Sequence, residues 1–427
     1  MLRKLLVIEA AALAEKLDLP SLEFRSMQSV FPAVTCTVQA SFRTASVPAA
    51  HGMIANGLYH RALHRCMFWE QSADLVSGAR IWEGFRRRGG RVGVLFWQQS
   101  LGERADIVLS PAPIHRHHGG MIQDCYARPQ GLCRRICDKL GRKFKLRQYW
   151  GPLASAKVGD WIADATAAVM REEELAPELL LTYLPTLDYD FQRGGPKHHK
   201  SRKAVDRLTR QLGLLLEAAD GNGYEVMVFG DYAIRETTSG DAGVLPNRAL
   251  LGAGLMKARG VKEMLYPDFH TSRAFAMVDH EVAHVYVRDP ADIEDTRAVL
   301  KKTPGVAEVL DRSAQAKLDL DHPNSGELVI VPEEGRWFAY PWWTEKREAP
   351  DYAGHVDIHN KPGFDPCELF FGWPPPSVSR DTARIRGSHG RVGAGREVVW
   401  AATFDLPEQP GSIVELASAV RDRLNET

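Results

Sequence analysis

The stretch Phe31-Pro32-Ala33-Val34-Thr35-Cys36-Thr37-Val38-Gln39-Ala40-Ser41 passes from an extended segment into a segment of helical character. Pro32 is expected to end the extended segment, and Thr35 then stands where a helix would begin. At that position the Thr35 hydroxyl lies near free backbone N–H groups and the positive end of the helix dipole. It can therefore act as an N-cap or as a nucleophile toward phosphate, and the residues alone favour the N-cap because threonine caps are common.

On both sides of this stretch, apolar runs of strand length alternate with segments of helical period. The predicted strands are Lys4–Ile8, Arg91–Trp97, Glu178–Leu184, Glu225–Phe229, Arg273–Val278 and Glu327–Val331, and the predicted helices are Trp161–Glu174, Ser201–Asp220 and Pro246–Leu255. The alternation predicts an α/β fold with a central, mostly parallel sheet flanked by helices. Ligand groups gather at the carboxyl ends of such strands, so Phe96-Trp97-Gln98-Gln99 is a candidate wall of a substrate pocket.

The domain organisation follows from the length and from one local pattern. The chain is predicted to be a single domain over residues 1–427, with a small inserted α+β subdomain at residues 270–375. Within this insertion, Ala283–Leu310 has the pattern of a strand, an acidic-capped helix and a second strand, which predicts a small βαβ unit. The last segment is expected to end in a helix from Ser412 to Leu424.

Composition and charge exclude several classes of protein. Lys+Arg and Asp+Glu both number 54, so no net charge directs the chain to a nucleic acid polymer or an anionic membrane. No apolar run approaches the roughly 18 residues of a membrane helix, since Glu9 interrupts the first one. Six cysteines are too sparse for a disulfide scaffold, which predicts a cytoplasmic protein. Cys133 and Cys137 have helical spacing, but no second pair completes a zinc site.

A second stretch, Ala50-His51-Gly52-Met53-Ile54-Ala55-Asn56-Gly57, adds a family resemblance. Together with Phe31–Ser41 it resembles the type I phosphodiesterase and nucleotide pyrophosphatase family of the alkaline phosphatase superfamily, and the resemblance extends over nearly the whole chain. That family carries its nucleophile in a Phe-Pro-x-x-Thr-like stretch and binds a phosphate oxygen with a later Asn. The resemblance therefore implies that Thr35 attacks phosphorus, that Asn56 holds a non-bridging oxygen and that His51 is structural.

The resemblance also implies two divalent metal ions, with zinc expected first and manganese or magnesium as alternatives. The positions that match the family's metal ligands are Glu9, Asp188, Asp231 and His389. Three departures are present: Glu9 stands where Asp is expected, Gln192 where a His follows Asp188, and Tyr232 where a His follows Asp231. Glutamine and tyrosine are weak neutral ligands beside imidazole, so a site that is not repaired should hold zinc less tightly.

Histidines elsewhere in the sequence could repair this site. We predict that His359, in the stretch His355-Val356-Asp357-Ile358-His359-Asn360-Lys361-Pro362-Gly363-Phe364-Asp365-Pro366, replaces a lost ligand. This stretch of polar residues closed by a Pro-Gly turn resembles neither a regular helix nor an ordinary solvated loop. His280 follows an Asp at a strand end and stays open as a ligand or a packing residue, whereas His284 precedes Val-Tyr-Val and is assigned to strand packing.

The sequence thus predicts a metal-dependent phosphoester hydrolase of the phosphodiester or pyrophosphate type, which acts on a small phosphorylated substrate through a phospho-threonine intermediate. The alternative is a catalytically decayed member of the same fold, or a non-enzymatic binding protein. Gln192 and Tyr232 favour the alternative. The residues whose retention favours the enzyme are Thr35, Asn56, Asp188, Asp231 and His389. No nucleic acid polymer and no membrane span are expected, and the oligomeric state is not predicted.

Overall fold

The computed structural model describes residues 4–118, 120–238 and 240–426, so residues 1–3, 119, 239 and 427 of the predicted domain lie outside the described residues. The strands are β1 Lys4–Ala10, β2 Arg25–Met27, β3 Gly57–His60, β4 Arg65–Phe68, β5 Val92–Leu95, β6 Ile107–Pro111, β7 Ile114–His115, β8 Met121–Ile122, β9 Cys125–Arg128, β10 Leu179–Leu184, β11 Tyr224–Gly230, β12 Arg235–Glu236, β13 Gly243–Val244, β14 Ala258–Val261, β15 Met264–Pro267, β16 Ala274–Asp279, β17 Val282–Val287, β18 Val306–Leu310, β19 Leu328–Pro332, β20 Trp337–Phe338, β21 Gly387–Ser388 and β22 Val398–Ala402. The α-helices are α1 Thr35–Thr44, α2 Pro48–His51, α3 Glu83–Arg87, α4 Leu132–Leu140, α5 Leu146–Tyr149, α6 Lys157–Met170, α7 Asp188–Gly194, α8 His199–Asp220, α9 Pro246–Gly252, α10 Ile293–Lys301, α11 Arg312–Ala316 and α12 Ile413–Glu426.

Eight strands form the central sheet, in the order β2-β22-β11-β1-β10-β5-β6-β9. Its middle strands β11, β1, β10, β5 and β6 run parallel, and antiparallel strands flank them at both edges. Every residue of β10 is buried, which requires that both faces of the sheet be covered. The α/β fold with a central, mostly parallel sheet that the alternation predicted is therefore confirmed.

The long helix α8 shows how the sequence pattern produces this cover. Its buried apolar residues recur at helical spacing and are Ala204, Leu208, Leu212, Leu215, Ala218 and Ala219. They form one stripe on the helix, and α8 packs with this stripe against α6 and β11. The predicted helix Trp161–Glu174 is displaced to Lys157–Met170, because the charged run Arg171–Glu174 offers no apolar side chain to continue the buried stripe.

A second, antiparallel sheet has the order β16-β17-β19-β18 and lies within the predicted insertion at residues 270–375. The predicted βαβ unit is present as β17, α10 and β18. Strand β19 lies between β17 and β18 and pairs antiparallel with both, so the two strands run in the same direction without touching. The assignment of residues 270–375 as a separate subdomain stays a prediction.

Helix α1 lies between the two sheets and contributes to both apolar cores. Val38 and Phe42, one helical turn apart, belong to the core of the central sheet, and the Phe42 ring stacks on Phe229 at 4.6 Å between centroids. Cys36 and Ala40, also one turn apart, belong to the core of the second sheet. Because both faces of α1 are packed, the position of its first residue is fixed by the whole fold.

The far end of α1 is held by a buried arginine. The Arg43 guanidinium donates to the backbone carbonyls of Gln98 and Gln99 and lies 3.5 Å from a Glu103 carboxylate oxygen. Burial lowers the pKa of Arg43 only to about 10, so the side chain keeps its charge near neutral pH. These contacts tie α1 to the loop that follows β5.

We predict that Arg43→Met lowers the free energy of unfolding by about 3–5 kcal/mol, because Glu103 and two carbonyls lose a buried charged donor. The matched control is Arg87→Met on exposed helix α3, which should cost no more than about 0.5 kcal/mol. Urea unfolding followed by circular dichroism measures both values. Equal losses in the two variants would contradict the anchoring role of Arg43.

Candidate active site

A cavity that is open to solvent lies beyond the carboxyl ends of β10 and β11, and with the adjoining solvent it measures about 600 Å³. Its polar lining includes Thr35, Asp188, Gln192, Tyr232, His280 and His389, and its aromatic lining is Trp69, Tyr149, Trp150, Tyr183, Tyr189, Tyr232 and Phe364. The register pairs Glu9 of β1 with Tyr183 of β10 on one side and with Phe229 of β11 on the other. Since these strands are parallel neighbours, the polar residues that follow them meet at one edge of the sheet.

Thr35 is the first helical residue of α1, and it does not cap the helix. The N-cap is Val34, whose side chain makes no capping hydrogen bond. The Thr35 side chain is 4% exposed and lines the cavity together with Tyr232, and its hydroxyl acts against the burial that raises the pKa of the Tyr232 phenol. The hydroxyl is therefore free for another role at a helix N-terminus, which the residues alone did not favour.

Asp188 begins α7 just after β10, and its carboxylate is surrounded by donors. The Asp-x-x-x-Gln spacing places Gln192 on the same face of the helix, one turn later. Gln192 Nε2 donates to both Asp188 oxygens at 2.8 Å, and the Tyr232 hydroxyl donates to Oδ1 at 2.9 Å. Burial raises the pKa of Asp188, and the bonds from Gln192 and Tyr232 act in the opposite direction.

Glu9 and Asp231 form a second acidic pair at the same sheet edge, and both are fully buried. Asp231 Oδ1 accepts from the backbone N–H groups of Ala12 and Tyr232, at 2.9 and 2.8 Å. Among the described residues no partner of good geometry meets Asp231 Oδ2 or either Glu9 oxygen. Burial first, and then the neighbouring carboxylate charge, raises the pKa of Glu9 well above its ordinary value.

His389 and His280 line the same cavity and lie against each other, with ring centroids 3.8 Å apart. His389 Nδ1 lies 2.8 Å from the Ala33 carbonyl, and the ring stacks on Tyr232 at 3.6 Å with an interplanar angle of 6°. His280 Nδ1 lies 2.8 Å from Asp279 Oδ1, and its Nε2 is buried without a partner in the described chain. Burial lowers the pKa of His280 to about 3, so both rings are expected to be neutral at pH 7.

Asn56 is buried and already occupied by protein partners. Its side-chain Nδ2 donates to Asp279 Oδ1 at 3.1 Å, its backbone N–H donates to Asp279 Oδ2 at 2.7 Å, and its Oδ1 accepts from the Cys36 N–H at 3.0 Å. It is not among the residues that line the cavity. The structure therefore places Asn56 behind the site, where it joins β16 to the start of α1.

His359 is not brought to this cavity. Its Nδ1 lies 3.1 Å from the Phe68 carbonyl and its ring packs near His115, with centroids 5.9 Å apart. It is absent from the cavity lining that holds His389. The expectation that His359 replaces the ligand lost at Gln192 is therefore corrected by its position, and the segment contributes Phe364 and Asp365 to the lining instead.

Two other histidines have the structural roles that the sequence predicted for them. His284 is buried within β17, between the Ile54 carbonyl at 3.1 Å and the Gly326 N–H at 3.3 Å. His51 is buried and hydrogen-bonded to Ser41 Oγ at 2.8 Å. Both residues have structural partners and neither lines the cavity.

The residues of the site do not fit the two metal ions that the resemblance implies. Within residues 4–118, 120–238 and 240–426 no group of three or more His, Cys, Asp or Glu side chains could hold a metal ion. Cys133 and Cys137, on α4, belong to no such group either. At Asp188 the lone pairs that a metal would use accept hydrogen bonds from Gln192 and Tyr232. The ligand set predicted for two zinc ions, His359 included, is therefore not assembled.

Several lining residues were not found from the sequence. Trp150 donates through Nε1 to Glu368 Oε2 at 3.1 Å, and Lys361 holds Glu368 and Asp365 by ion pairs of 2.6 and 2.7 Å. The Lys361-x-x-x-Asp365 spacing is a local signal for such a pair. Trp69, which lies 4.9 Å from Trp150 between ring centroids, joins this wall from a distant part of the chain.

The fold and the acidic sheet edge define an α/β protein of the alkaline-phosphatase-like class. Phosphonoacetate hydrolase from Sinorhizobium meliloti 1021, solved in complex with phosphonoformate, has a TM-score of 0.64 at 17% identity, over 99% of this chain and 96% of that chain. Murine ectonucleotide pyrophosphatase / phosphodiesterase 5, an inactive variant in complex with AMP, has a TM-score of 0.62 at 13% identity, over 99% and 95%. These likenesses show the fold.

The family follows from the sequence itself. Residues 15–365 match the type I phosphodiesterase / nucleotide pyrophosphatase model, and the chain belongs to this family. Membership confirms the resemblance and supports phosphoester hydrolase activity of the alkaline phosphatase superfamily, whose members generally depend on divalent ions. No curated protein matches the chain. In the described part of the chain, no helix has the length and apolar character needed to cross a membrane.

We predict that Asn56→Ala lowers the free energy of unfolding by about 3 kcal/mol, and that the loss is larger at pH 8 than at pH 5. Burial raises the pKa of Asp279 to about 6. The carboxyl therefore has a higher pKa in the folded protein than in the unfolded chain, where it is about 4. For such a group the free energy of unfolding falls as the pH rises from the unfolded pKa through the folded pKa. Without the Asn56 donors the pKa of Asp279 rises further, so this fall extends to higher pH.

Asn247→Ala is the matched control, because buried Asn247 makes two bonds of 2.7 Å to the Ala276 backbone and none to a carboxylate. Its loss should be the same at pH 5 and pH 8 when both variants are unfolded in urea. A pH-independent loss for Asn56→Ala would show that Asn56 does not control the ionisation of Asp279.

Proposed function

We propose that the protein is a hydrolase of small phosphoesters, of the phosphodiester or pyrophosphate type, and that Thr35 is its nucleophile. The observation that carries this proposal is the position of Thr35, whose uncapped hydroxyl lines the cavity at the first turn of α1. A phosphate group at this point would meet the N-terminus of a ten-residue helix, and free N–H groups and the helix dipole favour an anion there.

The lining of the cavity supports a small organic phosphoester as substrate. Trp69, Trp150 and Phe364 line it, so the part of the substrate beyond the phosphate would lie against aromatic rings. The murine neighbour was solved with AMP and the bacterial one with phosphonoformate, and both are small phosphorus-containing molecules.

A proton route away from Thr35 runs through side chains of this chain. Thr35 and Tyr232 line the cavity together, and the Tyr232 hydroxyl donates to Asp188 Oδ1 at 2.9 Å, so the route requires the Thr35 hydroxyl to turn toward the Tyr232 oxygen. Burial raises the pKa of Tyr232 well above its ordinary value, so the phenol stays protonated and passes a proton on without becoming a phenolate. Burial also raises the pKa of Asp188, which makes its carboxylate a better proton acceptor.

In the first step the Thr35 Oγ1–P bond forms while the bond between phosphorus and the leaving oxygen breaks. The Thr35 proton passes to the Tyr232 oxygen as the Tyr232 proton passes to Asp188, and the leaving oxygen takes the bonding pair and a proton from solvent. In the second step a water oxygen bonds to phosphorus and the Thr35–P bond breaks. Thr35 regains its proton through Tyr232, and the surplus proton of the water enters solvent.

Asn56 supports this scheme by position, since it binds Asp279 and the Cys36 N–H at the start of α1. We propose that it orients the helix start and that direct contact with a phosphate oxygen is not its main role. No step is assigned to metal ions, because the Asp188 lone pairs are occupied by hydrogen bonds. The cytoplasmic location stays a prediction.

A second candidate function is binding of a small phosphorylated ligand without turnover. The hydrogen bonds of Gln192 and Tyr232 on Asp188 favour it, because they fill positions that the family gives to metal ligands. The two functions differ in what happens to a phosphoester in the cavity. Isothermal titration with AMP measures binding, and release of product measures turnover, so the two can be separated in one preparation.

We predict that Thr35→Ala lowers kcat by about a thousandfold or more, while the free energy of unfolding changes by less than about 1 kcal/mol. The hydroxyl makes no helix cap, so its loss should spare stability. Thr35→Ser keeps the oxygen and should retain part of the activity. The assay uses a chromogenic phosphodiester and a monoester, with and without zinc, manganese and magnesium, and intact mass detects phosphorylated protein.

Thr37→Ala is the matched control, because buried Thr37 lies two residues further along α1 and outside the cavity lining. Its effect on kcat should be small. Hydrolysis by Thr35→Ala at the wild-type rate would exclude the covalent mechanism. Binding of AMP without hydrolysis of either compound by the wild type would favour the binding function.

We predict that Tyr232→Phe lowers kcat by about a hundredfold, because it removes the proton route and keeps the ring that stacks on His389. Combined with Thr35→Ala it should cause no further loss. Tyr183→Phe is the control, since Tyr183 also lines the cavity. If Tyr232→Phe and Tyr183→Phe have the same kcat, the proton relay is ruled out. The role of Thr35 is decided separately, by Thr35→Ala.

A further inference from the structure

The two residues that depart from the family's ligand pattern both donate hydrogen bonds to one carboxylate. We propose that Gln192 and Tyr232 take the place of a metal ion at Asp188, so that hydrogen bonds within the chain close this half of the site to divalent cations. The inference concerns metal binding alone, so it holds or fails independently of the proposed hydrolysis.

The number of donors is the first argument. Gln192 Nε2 lies 2.8 Å from each Asp188 oxygen, and the Tyr232 hydroxyl lies 2.9 Å from Oδ1. A bidentate contact of this kind places the amide nitrogen between the two oxygens, on the side from which a chelated ion would approach. A cation at Asp188 would have to displace these donors and leave them without partners.

The orientation of the Gln192 amide is the second argument. The nitrogen faces Asp188, and the oxygen Oε1 is buried without a partner among the described residues. If the amide were turned over, Oε1 would face two carboxylate oxygens and the lone pairs would repel each other. The observed orientation is therefore the one that gives two hydrogen bonds to Asp188 in place of two repulsive contacts.

The third argument is that His389, which also matches a metal ligand of the family, is still able to bind a metal ion. His389 lines the cavity, and its Nδ1 is positioned to donate to the Ala33 carbonyl at 2.8 Å. This bond leaves Nε2 as the nitrogen with a lone pair. Asp188 and His389 keep the chemistry of metal ligands, so the exclusion of divalent cations is due to Gln192 and Tyr232.

The experiment reopens the site with two substitutions. Gln192→His replaces the amide by an imidazole one helical turn from Asp188, and Tyr232→Phe removes the phenol donor while its ring still stacks on His389. The double variant Q192H/Y232F then offers a carboxylate and two imidazoles, which is a ligand set typical of zinc. Circular dichroism first establishes that each variant is folded, and isothermal titration with zinc chloride measures binding.

We expect Q192H/Y232F to bind zinc at least tenfold more tightly than the wild type, and Asp188→Asn added to it should abolish the gain. Gln130→His, which adds an imidazole at an exposed turn, is the control and should show no gain. If the wild type binds zinc and Asp188→Asn leaves this binding unchanged, the zinc lies away from Asp188, which also supports the proposal. Two results would overturn the proposal. One is wild-type zinc binding that Asp188→Asn weakens tenfold, and the other is a folded Q192H/Y232F variant that binds zinc no more tightly than the wild type.

Discussion

A carboxylate that is withdrawn from water needs a cation, a proton or hydrogen-bond donors, and this requirement organises the centre of the molecule. The parallel strands β10, β1 and β11 end side by side and bring three acidic residues into one enclosure. Asp188 receives side-chain donors and Asp231 receives backbone donors. Glu9 has neither in the described chain, and its raised pKa means that it keeps a proton more readily.

The enclosure depends equally on the helix that carries Thr35. Val38 and Phe42 pack into one apolar core and Cys36 and Ala40 into the other, so α1 cannot shift without disturbing both. A nucleophile gains from such rigidity, because reacting atoms have to be held within a fraction of an ångström. The second sheet thus contributes to the site through the helix that it shares with the central sheet, and also directly through His280, in the turn between β16 and β17.

The sequence predicts the parts of this arrangement that depend on local pattern. Asp188 and Asp231 follow apolar runs, and the helix start at Thr35 follows Pro32, so their places could be anticipated. His359 could not be placed, because its contact with the Phe68 carbonyl joins a loop to the end of β4, 291 residues away, and leaves no periodic signal. The same holds for Asn56, whose partner Asp279 lies 223 residues away.

The hydrogen bonds on Asp188 also bear on how easily this site could change over generations. A glutamine codon becomes a histidine codon through substitution of its third base, and a tyrosine codon becomes one through substitution of its first. Each donor to Asp188 is therefore one point mutation away from an imidazole, one of them on α7 and the other just after β11. A lineage could pass between a hydrogen-bonded centre and a metal-binding centre while the surrounding scaffold stayed as it is.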